Sequence, residues 1–330
     1  MLVVVVDEHH HHGNRQIYVR FASGPESVRF SSDLRQHNSL AITQEGRETI
    51  LIEISPTSVV SPQAKLADSV SVGPFCVIED EVEIGAGTRL DSHVVIKRYT
   101  TLGENNHLYP GVVLGNDPED RNFTGERSYL KIGHRNIFRE NSSVSRGTPP
   151  ESVTLLGDDN YIMIGTHVAH NCRLGNNVVV CNNCSVAGYV EVEDGAFLSG
   201  GVVVHQFSKI GRLAMIGGNT RVNLDVPPFL LASEFHVAAR GLNLIGLRRA
   251  GFGKDAIRHL KQAYRILYRS RLPLEQALQR IEQEIPTPEA RHLVEFIRGS
   301  KRGICRDARG IELKEPATSP EDASDSEKKS

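Results

Sequence analysis

The densest polar cluster inside the patterned part of the chain is Thr166-His167-Val168-Ala169-His170-Asn171-Cys172. Imidazole is the side chain that changes charge near neutral pH, so a pair of outward histidines suits proton transfer or metal ligation. Val168 belongs to an apolar series described below and points inward. Strand alternation then turns His167 and Ala169 outward and leaves His170 at the following corner. Two outward imidazoles are not needed for packing. Eighteen residues on stands Ala187-Gly188-Tyr189, and eighteen further His205-Gln206-Phe207. If the chain coils with that period, His170, Gly188 and Gln206 form a column lining one groove.

The elements that would hold this cluster repeat every six residues. Counting from Val60, ten consecutive positions to Leu114 are aliphatic; the series returns in phase at Ile132, Phe138 and Val144, lapses at Pro150, and runs for twelve positions from Leu156 to Val222. At about 30% aliphatic content, ten in a row by chance is on the order of one in 10⁵. Six matches neither the helical period of 3.6 nor the strand period of 2. It matches a short strand followed by a corner, three sides to a coil, with coils stacked at the inter-strand spacing of about 4.8 Å. Glycine often follows the aliphatic residue (Gly73, Gly85, Gly103), which predicts a corner with an awkward φ. The count lapses over residues 115–131, a polar stretch expected to be a loop extruded from the prism, and again over 145–155. Such loops carry binding residues.

After Pro227-Pro228 the period changes to helical. Ile257, Leu260, Tyr264 and Leu267 share one helical face; Leu274, Ala277, Leu278 and Ile281 another; Thr287-Pro288-Glu289 opens a third helix that ends near Gly299. Lys254, Arg258, Lys261 and Arg265 lie on one face of the first of these, a basic stripe. The tail from 307 to 330 is polar and is expected to be disordered.

Composition bounds the partners. The 330 residues carry a formal net charge of −2, which argues against nucleic acid as the main partner. No run approaches the roughly 20 apolar residues of a membrane span. MLVVVV, followed at once by Asp7 and Glu8, is too short for an export signal, so a cytoplasmic location is expected. The five cysteines are then reduced thiols. Cys181 and Cys184 mimic a zinc knuckle, but Cys184 is in phase as an inward small residue, and core packing is the favoured reading. The run His9–His12 suits a polar leader better than a metal site.

From about Ser55 to Arg306 the sequence resembles the acyl-ACP:UDP-N-acetylglucosamine O-acyltransferases of lipid A synthesis, a hexapeptide-repeat family. The resemblance rests on Val72-Gly73-Pro74-Phe75-Cys76, Ser92–Val95, Arg146-Gly147-Thr148, His167–Cys172, Val204–Phe207, Met215–Gly218, Asp225–Pro228 and Gly241–Phe252. It implies a left-handed parallel β-helix over 55–228, a small α-helical domain over 229–306 and a homotrimer. The hand comes from the resemblance, since parallel crossovers are generally right-handed. Residues 1–54 precede it and are expected to be a poorly ordered leader, read from an over-extended frame.

The implied activity is transfer of an (R)-3-hydroxyacyl chain from acyl carrier protein to the glucosamine 3-OH of UDP-N-acetylglucosamine, with no cofactor and no metal. His170 matches the general base and Gly188 the backbone oxyanion donor. Asn171 would orient His170. His167, His205, Gln206, Asn243 and Arg249 match nucleotide-sugar or acyl contacts. Asp120 matches an acidic contact to acyl or sugar hydroxyls across a subunit interface, and Gly218 the floor of an acyl groove. The basic stripe suits docking of the acidic carrier protein. The chain departs from the family at several positions. Asn171 replaces an Asp, Tyr189 and Ser145 stand where His is common, Asn122 replaces a Lys, and Ile245 replaces a Glu. Rival readings are the N-acyltransferase acting on UDP-3-O-acylglucosamine, a γ-class carbonic anhydrase-like zinc enzyme using His134, His170 and His205, and a non-enzymatic β-helix.

Overall fold

A computed structural model describes residues 5–11, 14–20 and 53–308. From Glu53 the chain winds into a left-handed parallel β-helix whose three sheets have eight, nine and twelve strands, the last three strands of the largest (Leu230–Ser233, Ala238–Leu242 and Arg306–Asp307) lying beyond the coils. Most strands are two residues long, and each pairs with the third before and the third after it. The register is eighteen residues: His167 lies beside Ser185, Ser185 beside Val203, and Val203 beside Arg221. The in-phase aliphatics fill the interior, with Leu90, Ile96, Leu108, Phe138, Val168 and Val186 all buried.

Corner chemistry differs from the expectation. Gly85 and Gly103 do not adopt positive φ. Their hydrogen side chains provide clearance between coils, since a Cβ on Gly85 would lie 2.5 Å from the carbonyl carbon of Gly103. The left-handed residue comes two positions later, as at Asn105, Asn171, Tyr189 and Phe207.

The excursions are also narrower. Val113–Asn116 and Tyr129–Ile132 are regular strands, so the extruded loop is 117–128 rather than 115–131. Leu102 pairs with Ile132, thirty residues on instead of eighteen, which makes this a twelve-residue insertion. Ile132 pairs with Leu156, twenty-four residues on, so the second excursion, 146–152, adds six.

The last coil is capped. Leu230–Ser233 extends the twelve-stranded sheet in parallel, then pairs antiparallel with Ala238–Leu242. Four helices follow: α1 (Leu244–Arg249), α2 (Lys254–Arg269), α3 (Leu274–Glu284) and α4 (Pro288–Arg298). The Thr287 side chain caps α4 by accepting from Ala290 N–H. Leu267, Tyr268, Leu278, Ile281, Leu293 and Val294 bury their common faces. The chain then returns to the β-helix, where Ser300 Oγ donates to the buried Asp225 carboxylate at 2.6 Å. Asp307 is buried and accepts from Tyr264 Oη (2.6 Å) and Arg269 (2.8 Å). Residue 307 therefore belongs to the fold and not to the tail; residues 309–330 lie outside the described residues. In the leader, Val5–His11 and Asn14–Arg20 pair as an antiparallel hairpin where no regular structure was expected. Glu53 and Ile54, expected in the leader, form the first strand of the β-helix; residues 1–4, 12–13 and 21–52, His12 included, lie outside the described residues.

One contact between α4 and the β-helix titrates. His292 Nε2 lies 2.8 Å from a Glu193 carboxylate oxygen that also accepts from Arg212 N–H. The hydrogen bond to Glu193 raises the His292 pKa above its ordinary value, against desolvation. A raised histidine pKa contributes stability that is complete below about pH 6.5 and lost as pH rises through the folded value. His292→Gln is therefore expected to lower the thermal midpoint more at pH 6 than at pH 8.5. The loss at pH 6 should be about 1 kcal/mol or less for so exposed a pair. Melting curves at the two pH values check this.

Candidate active site

His170 sits at the corner after the strand His167–Val168, with the buried Val168 side chain anchoring that strand. Asn171 follows in the left-handed conformation, φ 59°, which asparagine tolerates better than most residues. Its backbone N–H donates to Thr154 Oγ1 at 2.7 Å. Its side-chain Oδ1 accepts from Thr148 N–H at 2.9 Å and lies 3.1 Å from His170 Nδ1. An amide oxygen only accepts, so Nδ1 carries the proton and Nε2 keeps its lone pair.

The Nε2 edge faces the next coil at Gly188. A Cβ there would lie 2.6 Å from His170 Cε1 and 2.7 Å from Nε2, so only glycine admits the imidazole. The Gly188 N–H makes no hydrogen bond among the described residues. Tyr189 N–H donates to His170 O and Phe207 N–H to Gly188 O, both at 3.0 Å. The coil register thus places the His170, Gly188 and Gln206 corners one above another. His205 and Gln206 are exposed at the top of that column.

Asp120 comes to the same place from the extruded loop. Its Oδ2 is 4.0 Å from His170 Nε2, and its Oδ1 accepts from Asn122 N–H at 3.0 Å. The loop is held by Arg146, a residue that sequence reasoning did not single out for a role. Its buried guanidinium pairs with Asp117 at 2.7 Å and lies over the Phe123 and Tyr99 rings at 5.2 and 5.7 Å. The Arg146-Gly147-Thr148 motif was the available signal, but its function required knowing where the loop folds back.

His167 is half-buried beside the column. Its Nδ1 hydrogen-bonds Ser143 Oγ at 2.8 Å, and its Nε2 is buried with no partner among the described residues. Desolvation pushes its pKa down, against the charge of Glu119, which acts to raise it, and so favours the neutral ring.

Other residues lie elsewhere. Gly218 follows the strand Met215–Ile216 on a different corner of the prism, above Gly200. Asn243 caps α1: its Oδ1 accepts from Gly246 N–H and its Nδ2 donates to Leu213 O, both at 2.9 Å. These two bonds fix the orientation of the amide and leave its second N–H unused among the described residues. Arg249 is exposed in the last turn of α1, and Lys254, Arg258, Lys261 and Arg265 are exposed along α2. Arg258 pairs with Asp255 at 2.6 Å. Ser145 Oγ accepts from Asn116 Nδ2 at 2.9 Å, and Ile245 is exposed. His134 Nδ1 accepts from Glu104 N–H at 2.9 Å, and His205 Nδ1 lies 3.1 Å from Gln206 O. Cys172 and Cys184 face the interior, where burial pushes their thiols up to about 12 and about 11.

Arg146→Met is expected to free the loop and leave the prism intact. Tryptic cleavage at the exposed Arg121 should rise by about tenfold or more, with the thermal midpoint within a few degrees of wild type. Limited proteolysis followed by mass spectrometry checks this.

Comparison with known proteins matches residues 225–305 to the family "Udp N-acetylglucosamine O-acyltransferase; Domain 2" and residues 154–188 to "Bacterial transferase hexapeptide (six repeats)". The acyl-[acyl-carrier-protein]–UDP-N-acetylglucosamine O-acyltransferase of Thermodesulfovibrio yellowstonii is 44% identical over 77% of this chain and 99% of its own. The protein of the same name from Alkalilimnicola ehrlichii is 45% identical over 78% and 100%. The crystal structure of UDP-N-acetylglucosamine O-acyltransferase from Moraxella catarrhalis superposes with a TM-score of 0.75 at 37% identity, covering 77% of this chain and 99% of that one. With these relatives spanning the β-helix, the site and the helical domain alike, the chain belongs to the acyl-ACP–UDP-N-acetylglucosamine O-acyltransferase family.

Proposed function

We propose that this protein transfers an (R)-3-hydroxyacyl group from acyl carrier protein to the glucosamine 3-OH of UDP-N-acetylglucosamine, the first step of lipid A biosynthesis. The observation that carries the reading is the placement of the His170 ring, with Nδ1 held against the Asn171 amide oxygen, Gly188 against the Nε2 edge and Asp120 Oδ2 4.0 Å away. That gap is too long for a direct hydrogen bond, so Nε2 is left open to the single proton of an incoming hydroxyl.

His170 Nε2 takes the proton of the 3-OH as its oxygen attacks the thioester carbonyl carbon. The carbonyl oxygen gains negative charge, and the unpaired Gly188 N–H is placed to donate to it. The tetrahedral adduct then collapses, the C–S bond breaks, and imidazolium returns the proton to the departing thiolate. Ester and carrier-protein thiol are the products. Asn171 holds the tautomer without adding charge, so the carboxylate available to the imidazolium is Asp120. His167, His205 and Gln206 line the same groove for sugar and acyl contacts. Gly218 serves the acyl groove from another corner.

The exposed stripe Lys254, Arg258, Lys261 and Arg265 suits an acidic carrier protein, while Asn243 and Arg249 are assigned to nucleotide-sugar or acyl contacts. A homotrimer is what the family resemblance implies, and the outward valines at 59 and 77 are apolar surface that a further copy would cover. No helix among the described residues is long and apolar enough to cross a membrane. The five free thiols support a reducing, cytoplasmic location.

Purified protein with UDP-N-acetylglucosamine and 3-hydroxyacyl carrier proteins of several chain lengths is expected to form the 3-O-acyl product. His170→Ala should lower kcat by about 10²–10⁴-fold. Absence of transfer to any UDP-sugar, or an unimpaired His170→Ala, contradicts the proposal.

A further inference from the structure

Beside His170 stands an aromatic pair that the proposed reaction does not yet use. Tyr189 and Phe207 occupy the left-handed corner position in successive coils, φ 60° and 62°. In the coil below, the same position is Asn171, a residue for which that conformation is cheap. Ring-bearing residues accept it at a greater backbone cost, and they do so at other corners of the prism as well, as at Phe75, His93 and Tyr99, so it is the contacts of this pair with His170 that set it apart.

The rings are in contact. Tyr189 stacks on Phe207 with centroids 4.8 Å apart and planes 18° from parallel. Against His170 its ring is perpendicular, at 90° and 5.4 Å. Phe207 keeps about half of its surface exposed and covers one face of the Tyr189 ring. The hydrogen bond to Asn171 fixes Nδ1, but a single anchor leaves the ring free to rock about it. Rocking would carry Nε2 away from the 4.0 Å gap facing Asp120. The Gly188 backbone closes one side of the imidazole, and the Tyr189 ring supplies a second wall.

We infer that Tyr189, braced by Phe207, is a positioning residue that sets the tilt of the His170 imidazole and aims Nε2 at the acceptor hydroxyl. The inference rests on the reading of His170 as general base. The working part is the ring, through its edge-to-face contact, and the phenol hydroxyl is dispensable. A misaimed base loses rate without losing substrate, because the reacting geometry and not the binding contacts is disturbed.

Steady-state kinetics of Tyr189→Ala, Tyr189→Phe, Phe207→Ala and His170→Ala, with melting curves for each, tests this. Tyr189→Ala should lower kcat by about 10- to 100-fold with KM for UDP-N-acetylglucosamine within about threefold of wild type. Tyr189→Phe should restore kcat to within about twofold. Phe207→Ala, at a half-exposed position that the fold tolerates, should lower kcat in the same direction by a smaller factor. Wild-type kcat in Tyr189→Ala or in Phe207→Ala, a loss confined to KM, or equal impairment of the Phe and Ala variants at 189 overturns the inference. Should Tyr189→Ala fail to fold, the Phe207→Ala and Tyr189→Phe results decide it in the same way. If His170→Ala also keeps its activity, the base assignment has failed; if His170→Ala is dead and Tyr189→Ala is not, the positioning role alone has failed.

Discussion

Every structural relation in this protein depends on coils stacking at a fixed register. A residue in one coil sits directly below the residue eighteen positions later, as the pairing of His167, Ser185, Val203 and Arg221 displays. Backbone donors and acceptors of each coil's strands are satisfied by the neighbouring coils, so the prism can only lengthen or stop. Its upper end stops because the hairpin Leu230–Ser233/Ala238–Leu242 reverses the direction of pairing. The stacking tolerates almost no backbone slack, and this is why glycine recurs where two coils approach most closely.

The same constraint builds the site. One column brings an imidazole, a glycine N–H and two aromatic rings from three coils into a single groove, with no side chain having to bend to reach it. Insertions escape the register without disturbing it, because they leave from one corner and re-enter the next strand in phase. The twelve-residue insertion uses that freedom to carry Asp120 back onto His170, and Arg146 converts a surface excursion into a fixed wall. Charge is used sparingly. His170 leans on a neutral amide, His167 is held toward the neutral form by burial, and the carboxylate sits on the side where a hydroxyl would enter.

The prism was legible in the sequence because an inward side chain every six residues is a one-dimensional signal of a three-dimensional repeat. The column of His170, Gly188 and Gln206 followed from the same count. Other features were less accessible for identifiable reasons. Gly85 is dictated by the carbonyl of Gly103, a neighbour in space that only the stacked structure reveals. Strands at Val113–Asn116 and Tyr129–Ile132 lie inside a stretch whose polarity resembled loop, because outward residues of a coil are free to be polar. Asn243 matched a substrate contact by motif, and what the motif did not reveal is that the same amide also caps α1 and donates to Leu213 O. Asp307 looked like tail until Tyr264 and Arg269 gave it partners. The hand of the winding came from resemblance, since local sterics favour the opposite.

The central claim is that this column, and no other surface of the prism, performs acyl transfer. A crystal structure of the protein soaked with the 3-O-acylated UDP-sugar product tests it most directly. The account predicts the ester 3-oxygen within about 3.2 Å of His170 Nε2 and the acyl carbonyl oxygen turned to the Gly188 N–H. Product bound with its ester remote from His170, while the imidazole remains oriented by Asn171, would contradict it.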